Sequence, residues 1–160
     1  MIKILFVCHG NICRSPMAEF IMKDLVKQAG LSDAFLIESA ATSTEEIWNG
    51  VGSPIYPPAQ QQLRRHHVDF DRNKRARLLT KGDYSRYDLL IGMDERNRRN
   101  MVRLFSGDPE GKVCLLLDYS ERPREVSDPW YTGDFDRAWA DILEGCTSLL
   151  ADLQSTCSPW

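Results

Sequence analysis

Residues 8–20, CHGNICRSPMAEF, constrain the fold of this chain more than any other stretch, because they join an apolar run to a helical repeat with almost no slack. Residues 2–7 are apolar on both faces apart from Lys3, the pattern of a central strand in a parallel sheet. From residue 15 to residue 29, Met17, Phe20, Ile21 and Leu25 recur at helix spacing, and Gly30 is placed to end that helix as a left-handed cap. The helix opens with Ser15 as its expected cap and Pro16 in its first turn. Backbone N–H groups of a short loop closing onto a helix N-terminus point inward, where the helix dipole adds partial positive charge. Strand, loop and helix therefore predict an anion site, walled by His9, Gly10, Asn11, Ile12, Cys13 and Ser15 and filled by a phosphate or similar oxyanion.

Two side chains turn this anion site toward chemistry. Arg14 offers a planar fork of donors that takes two phosphate oxygens at once, which lysine cannot do. Helix N-termini and adjacent cations bring cysteine thiols down to about 3.5–7.5, so Cys8 reads as a nucleophile aimed at phosphorus. Ser15 is positioned to donate its hydroxyl to that sulfur. Asn11 tolerates the left-handed backbone angle that a curled loop requires, with Gly10 giving further freedom.

Bulk properties bound the partners. At 160 residues the chain suits one domain, placed at 1–154, with residues 155–160 expected as a tail. A net charge of -3 gives no reason to expect a polyanionic partner, and the arginine-rich clusters around residues 64–77 and 96–103 lack the interleaved aromatics of a nucleic-acid module. Five cysteines without paired spacing point to a reducing, cytoplasmic setting, and no run approaches the roughly 20 apolar residues of a membrane span. His66 and His67 face about 100° apart on a helix and cannot readily share a metal.

Further strands are expected at 34–40, 87–93 and 112–117, with helices at 58–67, at 95–105 behind an Asp94 cap, and from 135 to about 153. The last helix carries Ala138, Trp139, Ile142, Leu149, Leu150 and Leu153 as a core stripe. Residues 42–58 read as a surface loop with Ile47 and Trp48 at its tip, and 118–132 as a long irregular segment. This alternation specifies an α/β fold, an open parallel sheet covered on both faces, with its ligand outside the carboxyl ends of the strands.

The stretch CHGNICRSPMAE resembles the signature of the low-molecular-weight protein tyrosine phosphatases, and DPWYTGDF at 128–135 is similar to that family's general-acid loop. SAATS at 39–43, KRARLLTKGDY at 74–84 and DLLIGMD at 88–94 resemble its internal landmarks, so the likeness spans essentially the whole chain. The resemblance implies a flavodoxin-like open, four-stranded parallel sheet and metal-independent hydrolysis of phosphotyrosine in protein substrates through a cysteinyl phosphate. It implies no cofactor, and a monomer or weak dimer. Phenolate is a poor leaving group, its acid having a pKa near 10, so a proton donor is needed, and Asp128 stands where the family's acid stands. The likeness further implies that Ser39 braces Asn11, that Ile12, Trp48, Trp130 and Tyr131 form the substrate cleft, and that Cys13 forms a reversible disulfide with Cys8. Lys74 departs from the family, which often carries a histidine nearby.

Two relatives of this fold compete. The resembling arginine phosphatases carry threonine where this chain has Ile12 and lack the paired aromatics of the acid loop, which favours a phenyl ring here. Arsenate reductases need two further cysteines in a mobile segment after the third strand region, and residues 80–90 contain none.

Overall fold

In a computed structural model, which describes residues 1–156, the chain runs through six strands and six α-helices. They are β1 Ile2–Cys8, α1 Arg14–Gln28, β2 Phe35–Ala41, β3 Ile47–Trp48, β4 Val51–Gly52, α2 Pro57–Arg65 and α3 Asp83–Arg86, followed by β5 Leu89–Gly92, α4 Glu95–Phe105, β6 Val113–Leu115, α5 Pro129–Thr132 and α6 Phe135–Thr156. Four strands form one parallel sheet in the order β2-β1-β5-β6. β1 is therefore central, pairing Ile2 with Phe35 through Cys8 with Ala41 on one side and Ile4 with Leu89 through Val7 with Gly92 on the other.

The period of two along β1 divides its side chains between two layers. Ile4, Phe6 and Cys8 belong to the core shared with Met17 and Ile21 of α1 and with Trp139, Ile142 and Leu149 of α6. Leu5 and Val7 belong to the opposite core, with Leu90 of β5 and Met101 of α4. The apolar stripe of α6 is buried as its spacing requires, and Gly145 lets it close on Leu116, whose Cγ would lie 2.4 Å from an added Cβ. The chain leaves β1 for β2 on one flank and returns to β5 on the other, so the loop after β1 sits at the switch point of the sheet.

Several boundaries differ from the sequence expectation. α1 starts at Arg14, with Cys13 as a cap that uses no side chain; Ser15 lies inside the helix because its hydroxyl is engaged by Cys8 and Asn11. At the other end Gly30, at φ 73°, completes a Schellman motif, its N–H bonding to Lys27 O and that of Leu31 to Val26 O. α2 stops at Arg65, because His67 takes a left-handed angle and the N–H of Val68 returns to Leu63 O. The stretch 42–58 is not wholly a loop: β3 and β4 form a small hairpin turned on Asn49 and Gly50, both at positive φ as a type I′ turn demands. Within 118–132, Leu116–Tyr119 is a 3₁₀ turn that ends the fourth sheet strand early, and α5 adds one turn capped by Asp128. α6 runs to Thr156, so residues 155 and 156 of the expected tail are helical, while 157–160 lie outside the described residues. No described helix is long and apolar enough to cross a membrane.

Candidate active site

The loop from β1 to α1 curls around Cys8. Its turn is made by Asn11 at φ 58°, a left-handed angle that asparagine accepts better than most residues. The backbone N–H of Asn11 points at Cys8 Sγ at 3.3 Å, and Ser15 Oγ lies 3.0 Å from the same sulfur.

The direction of these hydrogen bonds is fixed from outside the loop. The backbone N–H of Arg77 donates to Asn11 Oδ1 at 3.1 Å, which settles which end of that amide is oxygen. Asn11 Nδ2 then gives one hydrogen to Ser15 Oγ at 2.8 Å and one to Ser39 Oγ at 3.0 Å. Ser39 passes its own hydrogen to Glu19 Oε1 at 2.6 Å, a carboxylate held by Lys74 at 3.2 Å and Lys23 at 2.7 Å. Ser15, having accepted from Asn11, can donate its single hydrogen to Cys8 Sγ when the sulfur is negative. Asn11, Ser15, Glu19 and Ser39 are all buried, so this chain of bonds is shielded from water.

Arg14 is buried too, and its guanidinium closes the site from the side. Nη1 lies 2.9 Å from Asp94 Oδ2 and donates to Val126 O at 3.1 Å, while Nη2 reaches Asp128 Oδ2 at 3.4 Å. Burial alone would lower the Arg14 pKa, but the charges of Cys8, Asp128 and Asp94 carry it above its ordinary value. Asp128 is meanwhile tied by Oδ1 to the N–H of Trp130 at 3.0 Å, the N-cap bond of α5. The loop bearing it is pinned at two points: Val126 N–H bonds to Met93 O, and Ser127 N–H to Asp141 Oδ2 on α6 at 3.1 Å.

Cys8, Ile12, Arg14, Asp128, Trp130 and Tyr131 line one cleft, which His9, Gly10 and Cys13 also border. Trp130 stands over Tyr56, with ring centroids 5.3 Å apart, and Tyr56 stacks in turn on Phe135 at 6.2 Å. Trp48 is not part of the wall. It is 72 % exposed on the β3–β4 hairpin, and the segment before that hairpin contributes Glu45 and Glu46 to the cleft instead. Glu45 Oε2 lies 2.9 Å from His9 Nε2. Cys13 is buried, and that burial, helped by the charges of Cys8 and Asp128, pushes its thiol far above the ordinary range.

Sequence reasoning gave Asp94 only a capping role, Lys74 only a departure from pattern, and Glu19 and Tyr56 none. Asp94 does cap α4, accepting from Asn97 N at 2.9 Å, yet its other oxygen holds Arg14. A signal for Glu19 existed: it is a carboxylate placed four residues after Ser15 on a helix face otherwise buried.

A parallel sheet with a cysteine and an arginine in the loop at its switch point, facing an acid carried by a later loop, defines a cysteine-dependent phosphatase fold. The family description "Low molecular weight phosphotyrosine protein phosphatase" matches residues 3–158, and the chain belongs to that family. It is 38% identical over 156 residues to the Bacillus subtilis low molecular weight protein-tyrosine-phosphatase YfkJ, covering 96% of this chain and 97% of that one. The crystal structure of the Streptococcus pyogenes low molecular weight protein tyrosine phosphatase superimposes with a TM-score of 0.86 at 38% identity, over 98% of this chain and 95% of that one. A Drosophila arginine phosphatase also superimposes, with a TM-score of 0.83 at 32% identity, over 97% of this chain and 99% of that one.

Proposed function

We propose that this protein hydrolyses phosphotyrosine in protein substrates through a cysteinyl-phosphate intermediate. In the first step Cys8 Sγ attacks phosphorus, the bond to the phenolic oxygen breaks, and Asp128 protonates that oxygen as it leaves. In the second, water attacks the phosphocysteine, Asp128 takes its proton, phosphate departs, and the sulfur regains the electron pair. Arg14 would bind the equatorial phosphate oxygens, its Nη1 held by Asp94 and Val126 O so that the planar group does not swing. Trp130 and Tyr131, exposed at the mouth, would flank the phenyl ring, and Ile12 would touch its face.

The observation that carries this reading is the convergence on Cys8 Sγ of the Asn11 N–H at 3.3 Å and the Ser15 hydroxyl at 3.0 Å, two groups that steady a negative sulfur by donating to it. The experiment compares Asp128→Ala on phenyl phosphate and on p-nitrophenyl phosphate, with Cys8→Ser as the inactive control. Loss should be at least tenfold greater for the phenyl ester, whose leaving group needs the proton. Equal slowing of both esters removes Asp128 from the acid role.

Phosphoarginine is the rival substrate, favoured by the Drosophila neighbour. Against it stands an apolar Ile12 in the loop, a surface suited to a phenyl ring rather than to a charged guanidinium. Turnover of matched phosphotyrosine and phosphoarginine peptides decides between them. A reducing, cytoplasmic setting goes with the same proposal, since Cys8 must stay reduced to act.

A further inference from the structure

α4 carries four arginines, and three of them are left without a carboxylate. Arg98 is paired through Nη2, 3.1 Å from Asp118 and 3.7 Å from Glu95. Arg96, Arg99 and Arg103 are exposed and make no ion pair among the described residues, although the chain has 23 acidic residues against 20 basic ones. Spaced at i, i+3 and i+7, these three lie along one face of the helix. Arg96 borders the cleft that holds Cys8. At the far end Arg103 and Asn100 share a shallow groove with Lys81, also exposed and unpaired among the described residues, and with Thr42. Thr42 ties that groove back to the catalytic loop, its N–H donating to Cys8 O at 3.0 Å, and its buried Oγ1 has no partner.

A solvated helix face ordinarily balances its cations with carboxylates three or four residues away, as Arg98 does. Here a positive strip instead starts at the cleft and leads away from it. Glu45 and Glu46 border the same cleft from the segment after β2, and Arg96 is where the positive strip meets it. From Arg96 to Arg103 the helix rises about 10 Å, the span of about three residues of extended peptide.

Building on the phosphotyrosine reading, we propose that the arginine face of α4 docks an acidic segment of the substrate, with Asp or Glu within about three to four positions of the phosphotyrosine. The test measures kcat/KM on phosphotyrosine peptides flanked by alanines, by an acidic run on the amino side, or by one on the carboxyl side, with p-nitrophenyl phosphate as the small substrate. The wild type should prefer one acidic peptide over the alanine peptide about tenfold at low salt, through KM, and lose most of that preference in 0.5 M salt. The double variant Arg99→Glu, Arg103→Glu should abolish the preference and turn over p-nitrophenyl phosphate within about twofold of wild type. A wild type indifferent to flanking charge, a preference unmoved by salt, or one retained in the double variant overturns the docking proposal. A wild type inert toward p-nitrophenyl phosphate defeats the phosphatase reading instead.

Discussion

Replacing Ser15 by alanine isolates the contact on which the chemistry turns. The hydroxyl accepts from Asn11 Nδ2 at 2.8 Å and lies 3.0 Å from Cys8 Sγ, where it is the donor whenever the sulfur carries negative charge. A hydrogen bond to a charged acceptor contributes about 1.5–3 kcal/mol, and about 1.4 kcal/mol is a factor of ten, so the affected step should slow by about 10- to 150-fold. The step in question is breakdown of the phosphocysteine, in which negative charge returns to sulfur; attack on substrate starts from a sulfur already charged and loses less. The phosphoenzyme should therefore accumulate. Stopped-flow mixing with p-nitrophenyl phosphate should show a burst of nitrophenolate approaching one equivalent per enzyme, followed by a slow steady rate. A variant within threefold of wild type in the steady state, with no enlarged burst, would refute the assignment of that hydrogen. Asn11 Nδ2 also loses an acceptor in the buried site, so stability should fall by about 1–3 kcal/mol, readable by urea denaturation.

Two further outcomes follow from groups around the site. Arg124, with Ser120, holds Glu144 down to about 2, well below its ordinary value. A depressed carboxylate adds stability above its unfolded pKa of about 4.3 and loses it as pH falls through the folded value. Because the Glu144 side chain is 34% exposed, solvent screening limits the effect to about 1 kcal/mol. Arg124→Ala should therefore cost about that much at pH 7, and the gap to wild type should narrow between about pH 4 and pH 2 in denaturant titrations. Peroxide should oxidise Cys8 to a sulfenic acid with release of water; Cys13 should then give up its proton and attack that sulfur, the hydroxide leaving with the proton as a second water to close a disulfide, a step that burial of the Cys13 thiol slows. Dithiothreitol should restore wild-type activity after such treatment and fail to restore most of it in Cys13→Ala, whereas equal recovery of both would exclude the pair.

The elements that could be read in advance are those whose cause is local. β1 was visible as a run apolar on both faces, α6 as a stripe at helix spacing, and the Asp94 cap as an acid preceding a helix. The Asn49–Gly50 turn was also written locally, but the strands it joins are two residues each, too short to show alternation. Ser15 misled for a related reason: serine is a good cap, and only the nearby sulfur and amide draw its hydroxyl away.

What the chain's order of residues determined alone was the strand-loop-helix unit around Cys8 and Arg14, since neighbouring dihedrals, a left-handed asparagine and a helix N-terminus suffice to build an anion cradle. Everything that aims the cradle came from contacts distant in sequence. Asp94 on Arg14, Arg77 on Asn11, Glu19 with Lys74 behind Ser39, and Tyr56 under Trp130 meet only because β2 and β5 close on either side of β1. The folded chain also leaves Trp48 exposed on a separate hairpin and brings Glu45 and Glu46 to the cleft. A side chain's type fixes which bonds it can make; which partner it meets is decided by strand order and register, and those are set by burial across the whole sheet.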